Sequence, residues 1–468
     1  MKSKISLIIT TVLIAVKSFS QIYSSSLDQV PADWKGNVFK LSYDYPKKLP
    51  TEKNQPWLKY DFRTQSKEYM NAVLKYFIEG NDDANWVVQN NKIRKWYHAP
   101  SMSWQPLKPK LRPYGREFIH GLTKERNSLP GELYPSQKDT IQNWAVGFYN
   151  SIGAYTFGQV YKDTTNFKIE NVTFLEGTVT AKLLFTTATS NEVPYIKGTL
   201  EWQANIFKSA NITSTSKRSP QTVRLLQVDI AIKDSRSKDF TGWVFGTFVY
   251  NVNATGKTVW EKLVPAGLMW GNDPCLFNDE KLNETWINPE YSSLFKFPNG
   301  QHIHFGYKGR LNGPVDNPIS SCLSCHSTAQ SPQYSNLIPN VNDSTDLVKY
   351  FRNVKSGKPF DDLPTSYSYD YSLQLSGGVA AAIANRTKKN TTIKFNKEEI
   401  SNMEYFITSM EDNIVSSAAN NESYSIKLKK ESEESTHTST DSQNLPYLIF
   451  GSILLLLATY FFYKHYKK

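Results

Sequence analysis

Two thiols and an imidazole lie within five consecutive residues of this chain. Cys322, Cys325 and His326 follow the spacing C-x-x-C-H. On one helical turn this spacing brings both sulfurs to the same side, where each can form a thioether bond with one vinyl group of a haem. The imidazole next to the second Cys is then placed to bind the iron. We therefore predict one covalent haem c, attached through Cys322 and Cys325, with His326 as the proximal iron ligand.

Chance and other uses of the same motif explain it less well than haem attachment does. With three Cys and seven His in 468 residues, about 0.0003 chance matches to the pattern are expected. A redox disulfide between Cys322 and Cys325 would suit a thioredoxin-like βαβ pattern, which the flanking sequence does not show. A zinc site would need a second pair of ligands, and Cys275 with a distant His is a poor substitute.

On Cys322, Cys325 and His326 the chain resembles the c-type cytochromes. The segment NKEEISNMEYFITSM at 396–410 is similar to the final helix that packs on the haem helix in small cytochromes c. The resemblance covers about residues 310–412 and implies one-electron transfer by iron that cycles between ferrous and ferric states. The residues before it look like an accessory region of uncharacterised bacterial envelope cytochromes, which is a likeness of fold alone.

The resemblance also implies a distal Met shortly before the final helix, but residues 327–395 contain no Met. Three methionines outside this range are candidate ligands: Met269, Met403 and Met410. Their sequence surroundings favour packing in the core over iron binding. His302 and His304 flank Ile303 and would share one face of a strand. Because His304 is nearer to Cys322 along the chain, we take it as the candidate distal ligand of the iron.

The start of the chain predicts export. Lys2 and Lys4 precede a 12-residue apolar run at 5–16, and Ser18 and Ser20 supply the small residues of a cleavage site. This pattern is typical of a secretory signal peptide, which we place at residues 1–20. The run is too short to cross a bilayer.

The other end predicts one membrane span. Residues 416–444 are rich in Ser, Thr, Asn, Glu and Lys and should form a flexible linker. Residues 445–463 contain no charge over 19 positions and are long enough to cross the membrane. The basic tail at 464–468 places the C-terminus in the cytoplasm. We therefore expect a single-pass protein of the plasma (inner) membrane whose body faces the periplasm.

The body between these ends predicts an α+β fold in three successive regions. Residues 21–166 are a mixed, Trp- and Pro-rich region, and residues 167–275 form a β-rich domain. Four β-branched and aromatic runs there predict an antiparallel sheet or sandwich of five to eight strands: 178–187, 195–206, 222–233 and 241–250. Residues 276–415 should form a small, mostly helical, cytochrome c-like haem domain. The helical patterns are at 67–79, 346–354 and 396–410.

The charge of the chain gives no support to a nucleic-acid partner. The net charge is +11, but six lysines lie in the first 20 and last five residues. The remaining body is mildly basic and has no Lys/Arg block, so we predict no nucleic-acid binding.

Together these features predict a membrane-anchored, extracytoplasmic, monohaem c-type cytochrome with redox partner proteins in the envelope. Two alternatives stay open. One is a haem oxidoreductase or small-ligand sensor with an open sixth iron position, since no Met precedes the final helix. The other is a binding module in which the β-rich domain recognises a ligand and the haem is auxiliary. The sequence alone does not decide whether the protein is an enzyme with its own substrate.

Deleting Asn444–Lys468 should release a soluble, haem-loaded ectodomain, because 445–463 is the one spanning segment left after signal cleavage. Fractionation of cells that express the full or the shortened chain measures this. If the shortened chain stays in the membrane fraction after a salt wash, a second attachment exists and the predicted topology is incomplete.

Overall fold

A computed structural model describes residues 30–387, apart from residue 53 and residues 101–115, 164–166, 213–215, 275–280, 298–303 and 333–334. These residues all belong to one compact unit. The predicted signal peptide, linker, membrane span and final helix lie outside the described residues, as do Cys275, His302, Met403 and Met410. Within the described part of the chain, no helix has both the length and the apolar character needed to cross a bilayer.

A nine-stranded antiparallel sheet dominates the described part of the chain. The strands run in the spatial order β1-β3-β4-β6-β7-β8-β9, with β2 beside β3 and β5 beside β6. Their bounds are β1 Trp96–His98, β2 Thr123–Lys124, β3 Asn143–Asn150, β4 Val179–Thr186, β5 Glu201–Phe207, β6 Arg218–Lys233, β7 Trp243–Tyr250, β8 Leu263–Met269 and β9 Thr285–Ile287. A separate two-stranded ladder joins β10 Gln330–Ser331 to β11 Tyr367–Ser368.

Helices are few and mostly short. The α-helices are α1 Ser66–Ile78, α2 Ser151–Val160, α3 Tyr291–Phe295, α4 Cys322–His326, α5 Ser344–Tyr350 and α6 Leu373–Thr387. Single 3₁₀ turns lie at Pro56–Lys59, Val88–Asn90, Pro194–Ile196, Ser235–Ser237 and Tyr307–Gly309. The prediction of an α+β fold built on an antiparallel sheet is therefore confirmed.

The sheet extends beyond the β-rich region that the sequence predicts. Strand β3 pairs with β4 over seven residues, from Asn143 opposite Thr186 to Tyr149 opposite Thr180. The sheet thus crosses the boundary predicted at residue 166 and includes β1–β3 of the predicted N-terminal region. All eight residues of β3 are buried, so the strand lacks the polar–apolar alternation that reveals a half-exposed strand.

Each face of the sheet has its own core. On the first face, Val73 and Phe77 of α1 pack in one cluster with Leu183, Ile230 and Phe248 of the sheet. These α1 residues are spaced four apart, so they lie on one side of the helix. The helix predicted at 67–79 is thereby confirmed.

The second face is covered by the part of the chain that carries the C-x-x-C-H motif. Leu323, Tyr350 and Leu375 share one core cluster with Phe245 and Val249 of the sheet. Within the described residues, the segment after 276 therefore packs on the large sheet. The short helices α4 and α5 do not bury enough apolar surface to form a core without that face.

Candidate haem-attachment site

The C-x-x-C-H motif forms one short helix, α4, whose start is fixed by hydroxyl groups. The Ser324 amide donates to Ser321 Oγ at 3.0 Å, and the Ser321 amide donates to Ser324 Oγ at 2.8 Å. This reciprocal pair is a capping box, which satisfies two amides at the helix start. Ser321 Oγ also donates to Asn272 Oδ1 at 2.8 Å, and this bond ties α4 to the turn after β8.

The three residues that carry the chemistry of the motif are more exposed than the two residues between the cysteines. Cys322, Cys325 and His326 are half-buried, while Leu323 and Ser324 between them are buried. Neither thiol is in a disulfide. None of these three residues is fully buried, although Cys322 packs against the core and its Sγ donates to Asn312 Oδ1 at 3.8 Å.

The imidazole of His326 is held in one orientation and one tautomer. His326 Nδ1 lies 2.8 Å from the carbonyl oxygen of Tyr371, and because a carbonyl only accepts, Nδ1 carries the proton. Burial lowers the pKa of His326 to about 4, so the ring is neutral at neutral pH. Nε2 therefore keeps its lone pair for a metal ion. The ring also packs on Phe245 of β7, with 5.0 Å between centroids.

Opposite the motif, a row of five residues without an apolar side chain crosses the second face of the sheet. Gly147, Lys182, Asp229, Thr247 and Gly267 are paired in turn across β3, β4, β6, β7 and β8. Directly paired residues point to the same face of a sheet, so these five share one side. We call them the polar row.

The two glycines of the polar row permit close approach of other elements. A Cβ atom at Gly147 would lie 2.3 Å from the side-chain nitrogen of Gln374 on α6. A Cβ at Gly267 would lie 2.6 Å from the carbonyl oxygen of Trp286. Both ends of the row are therefore covered, and Lys182, Asp229 and Thr247 remain in its middle.

Two carboxylates meet at the middle of the polar row. Gln227 Nε2 donates to Asp229 Oδ1 and to Asp316 Oδ2, each at 2.8 Å. Thr247 Oγ1 donates to the same Asp229 oxygen at 2.9 Å. Burial and the charge of Asp316 raise the pKa of Asp229 to about 7. One nitrogen between two carboxylates only partly offsets their repulsion, which explains the direction of this shift.

Lys182 supplies the positive charge of this region. Its Nζ pairs with Glu125 Oε1 at 2.9 Å. Burial opposes the charged form of Lys182, but the carboxylates of Glu125, Asp316 and Asp229 outweigh it and raise the pKa. Lys182 therefore stays protonated at neutral pH and stabilises the acidic groups around it.

The acidic groups also act on the two thiols. Burial and the charges of Asp316 and Asp229 raise the pKa of Cys322, and burial together with Asp316 raises the pKa of Cys325 to about 12. Cysteines that exchange disulfides have a lowered pKa in an electropositive environment. The surroundings of Cys322 and Cys325 are the opposite, so they do not favour the redox-disulfide interpretation. In the part of the chain that the structure describes, no three His, Cys, Asp or Glu side chains are grouped to hold a metal ion.

His304, the candidate distal ligand, lies in an aromatic cluster. The Leu133 carbonyl accepts from its Nε2 at 2.8 Å, and its Nδ1 therefore accepts from the Tyr291 hydroxyl at 2.7 Å. Its ring packs edge-on against Phe297 at 4.8 Å between centroids. Burial lowers the pKa of His304 to about 3. Both nitrogens are engaged in this arrangement, which does not favour His304 as an iron ligand.

Sequence reasoning missed Tyr371 and the polar row. Tyr371 acts through its backbone carbonyl, which has no signature in the sequence. A signal for the row was present, since Lys182 lies between Ala181 and Leu183 and Asp229 lies between Val228 and Ile230. Comparisons of the chain with protein-family models, with curated proteins and with solved structures gave no match.

Asp229 should contribute stability that is lost as the pH rises from about 4 to about 7, whereas the buried neutral His304 and His326 contribute in the opposite direction. The folded state holds a proton on Asp229 up to about pH 7, whereas the unfolded state loses it near pH 4. At Asp229 the folded state therefore binds more protons within this range, and the contribution of this residue to stability declines as they leave. Between pH 5 and pH 7 the stability of Asp229→Asn should therefore fall less, or rise more, than that of the wild type, which urea unfolding midpoints at pH 5, 6 and 7 would measure.

The matched control is Asp61→Asn, at a side chain that is 49% exposed. It should show the same pH dependence as the wild type. Equal slopes in all three proteins would refute the assignment of a raised pKa to Asp229.

Proposed function

We propose that this protein is a membrane-anchored, extracytoplasmic c-type cytochrome that carries one covalent haem and transfers single electrons. The observation that carries the proposal is the geometry of α4. Two free thiols and one neutral imidazole lie together on the accessible part of one helical turn, and the Tyr371 carbonyl directs the lone pair of the imidazole. This set of donors fits a haem c.

Each residue of the set has one role in the proposal. Cys322 and Cys325 would hold the haem by thioether bonds, and His326 Nε2 would bind its iron. When bound, the haem supplies reversible exchange of one electron between ferrous and ferric iron. Tyr371 fixes the proton on His326 Nδ1, and Phe245 restricts rotation of the imidazole. A fixed ligand keeps the reorganisation that accompanies each electron transfer small.

The location in this proposal rests on the two ends of the chain. The signal peptide at 1–20 would export the body, and the apolar segment at 445–463 would hold it to the plasma membrane. Export suits the motif, because haem c is attached outside the cytoplasm. Electron donors and acceptors would then be redox proteins of the envelope.

Haem attachment should be covalent and should need both thiols. Wild-type protein, expressed with haem-attachment machinery and denatured, should keep its haem stain on a gel. The double variant Cys322→Ala, Cys325→Ala should lose the stain. Ser327→Ala is the matched control: it removes a small group just after the motif and should keep the stain. A wild type that never stains, with competent machinery present, would end the cytochrome proposal.

A second candidate is a haem oxidoreductase or small-ligand sensor with an open sixth iron position. The observation that favours it is the polar row beside the motif, where Asp229, with a pKa of about 7, could exchange protons with a bound molecule. His304 is engaged elsewhere. Met269, fully buried in the sheet opposite Phe245, remains a core residue.

The absorption spectrum separates the two candidates. For electron transfer we expect a low-spin, six-coordinate haem whose reduced spectrum does not change when carbon monoxide is added. A high-spin haem whose reduced spectrum shifts with carbon monoxide would instead establish the open position of the second candidate. Reduced samples with and without the gas suffice for the measurement.

A further inference from the structure

The iron ligand proposed above is connected to the sheet through one buried carboxylate. We infer that Asp370 is a positioning residue for His326: it fixes the Tyr371 carbonyl that accepts the proton of His326 Nδ1, and through this bond it sets the reduction potential of the haem. The inference rests on the proposed function, and it adds to that function the residue that tunes the site.

The Tyr371 carbonyl is presented by an unusual stretch of backbone. Asp370 and Tyr371 both have positive φ angles, +47° and +70°. Two consecutive residues with side chains in the left-handed region are unfavourable for L-amino acids, and only surrounding contacts can hold them there. The carbonyl that accepts from His326 belongs to the second of these residues. Its orientation therefore depends on whatever holds this backbone in place.

The side chain of Asp370 makes those contacts. It is fully buried, and four groups from separate parts of the chain donate to its two oxygens. The donors are the Phe174 amide at 2.7 Å, Lys233 Nζ at 2.8 Å, Trp243 Nε1 at 3.1 Å and the Gly357 amide at 3.2 Å. Two of these donors lie on central strands of the sheet, β6 and β7. Hydrogen bonds from the sheet thus hold Asp370, the residue directly before Tyr371, in place.

The side chain of Tyr371 secures the other end of the same two-residue stretch. It is 4% exposed, and its hydroxyl donates to the Val354 carbonyl. Its ring also faces Phe245, the residue that packs on His326. The carbonyl between these anchors has little freedom to turn away from His326 Nδ1.

The strength of this hydrogen bond affects the iron. A proximal imidazole that donates a strong hydrogen bond from Nδ1 is a more basic ligand and favours the ferric state. When the acceptor moves away, the imidazole becomes a less basic ligand. The ferrous state is then stabilised relative to the ferric state, so the reduction potential rises. The side-chain hydrogen bonds of Asp370 go to Phe174, Lys233, Trp243 and Gly357 and not to His326, so its effect on the imidazole would pass through the Tyr371 carbonyl. Loss of the Asp370 charge would also raise the potential directly, and the exchange rate of the His326 Nδ1 proton separates the two effects.

The test is Asp370→Asn in the full-length, haem-loaded protein. This change keeps the size of the side chain and removes the charge that holds Lys233. We expect a higher reduction potential in a spectroelectrochemical titration. We also expect faster solvent exchange of the His326 Nδ1 proton in the NMR spectrum, because a displaced carbonyl protects it less.

The matched control is Asp234→Asn. Asp234 is also fully buried, accepts from Arg236 Nη2 at 2.6 Å and from the Tyr69 hydroxyl at 3.0 Å, and follows Lys233 directly in the chain. It should destabilise the fold without changing either the potential or the proton exchange. If Asp370→Asn does not accumulate, the double variant Lys233→Gln, Asp370→Asn removes both charges and is measured in its place.

Three outcomes decide the inference. A raised potential and faster exchange in the Asp370 variant, with the Asp234 variant unchanged, would support it. Equal potentials in wild type and Asp370 variant, or equal shifts in both variants, would overturn it while leaving the cytochrome proposal intact. A wild type that carries no haem would overturn both together, and the haem stain identifies that case.

Discussion

Lys233 and Asp370 form an ion pair between the end of β6 and the loop before α6, with side chains 10% and 0% exposed. The free energy of removing two charges from water is strongly unfavourable at this depth. Such a pair is tolerated only when both charged groups make further hydrogen bonds. The amides of Phe174 and Gly357 and the indole of Trp243 provide them. Removing one partner of a buried pair typically costs about 3–5 kcal/mol. The segment that holds His326 is therefore joined firmly to the sheet.

This attachment joins the loop after β11 to the same face of the sheet on which α4 packs. Leu323 on the inner side of α4 lies in the same core as the second face of the sheet, and the outer side presents the thiols and the imidazole. The sheet and the loop that carries Asp316 place the carboxyl groups of Asp229 and Asp316 near the two sulfurs.

The sequence predicted those features that depend on residues close together in the chain, such as a short motif or the alternation of polar and apolar residues in a strand. The motif at 322–326 predicted which side chains lie together, and β4, β6 and β7 lie close to their predicted bounds. The sequence does not predict strand β3, because burial on both faces removes the alternation of polar and apolar residues.

The polar row could not be predicted because it depends on register across five strands. A bulge between Leu184 and Phe185, and another between Thr247 and Phe248, shift that register. One residue of slip would move Lys182 or Asp229 to the opposite face. His304 shows a related difficulty: its distance along the chain from Cys322 suggested nearness, but the fold gives both of its nitrogens other partners.

The capping box of α4 bears on how such sites are recognised across genomes. A sequence search with the pattern C-x-x-C-H specifies two cysteines and a histidine and accepts any residue at the other positions. In this protein Ser321 and Ser324 exchange hydrogen bonds, and Ser321 also binds Asn272, 49 positions earlier in the chain. Homologues that share this architecture should vary at these three positions together. A sequence profile that requires these three positions to vary together would distinguish C-x-x-C-H motifs packed on a sheet from those packed among helices. The C-x-x-C-H pattern alone cannot make this distinction.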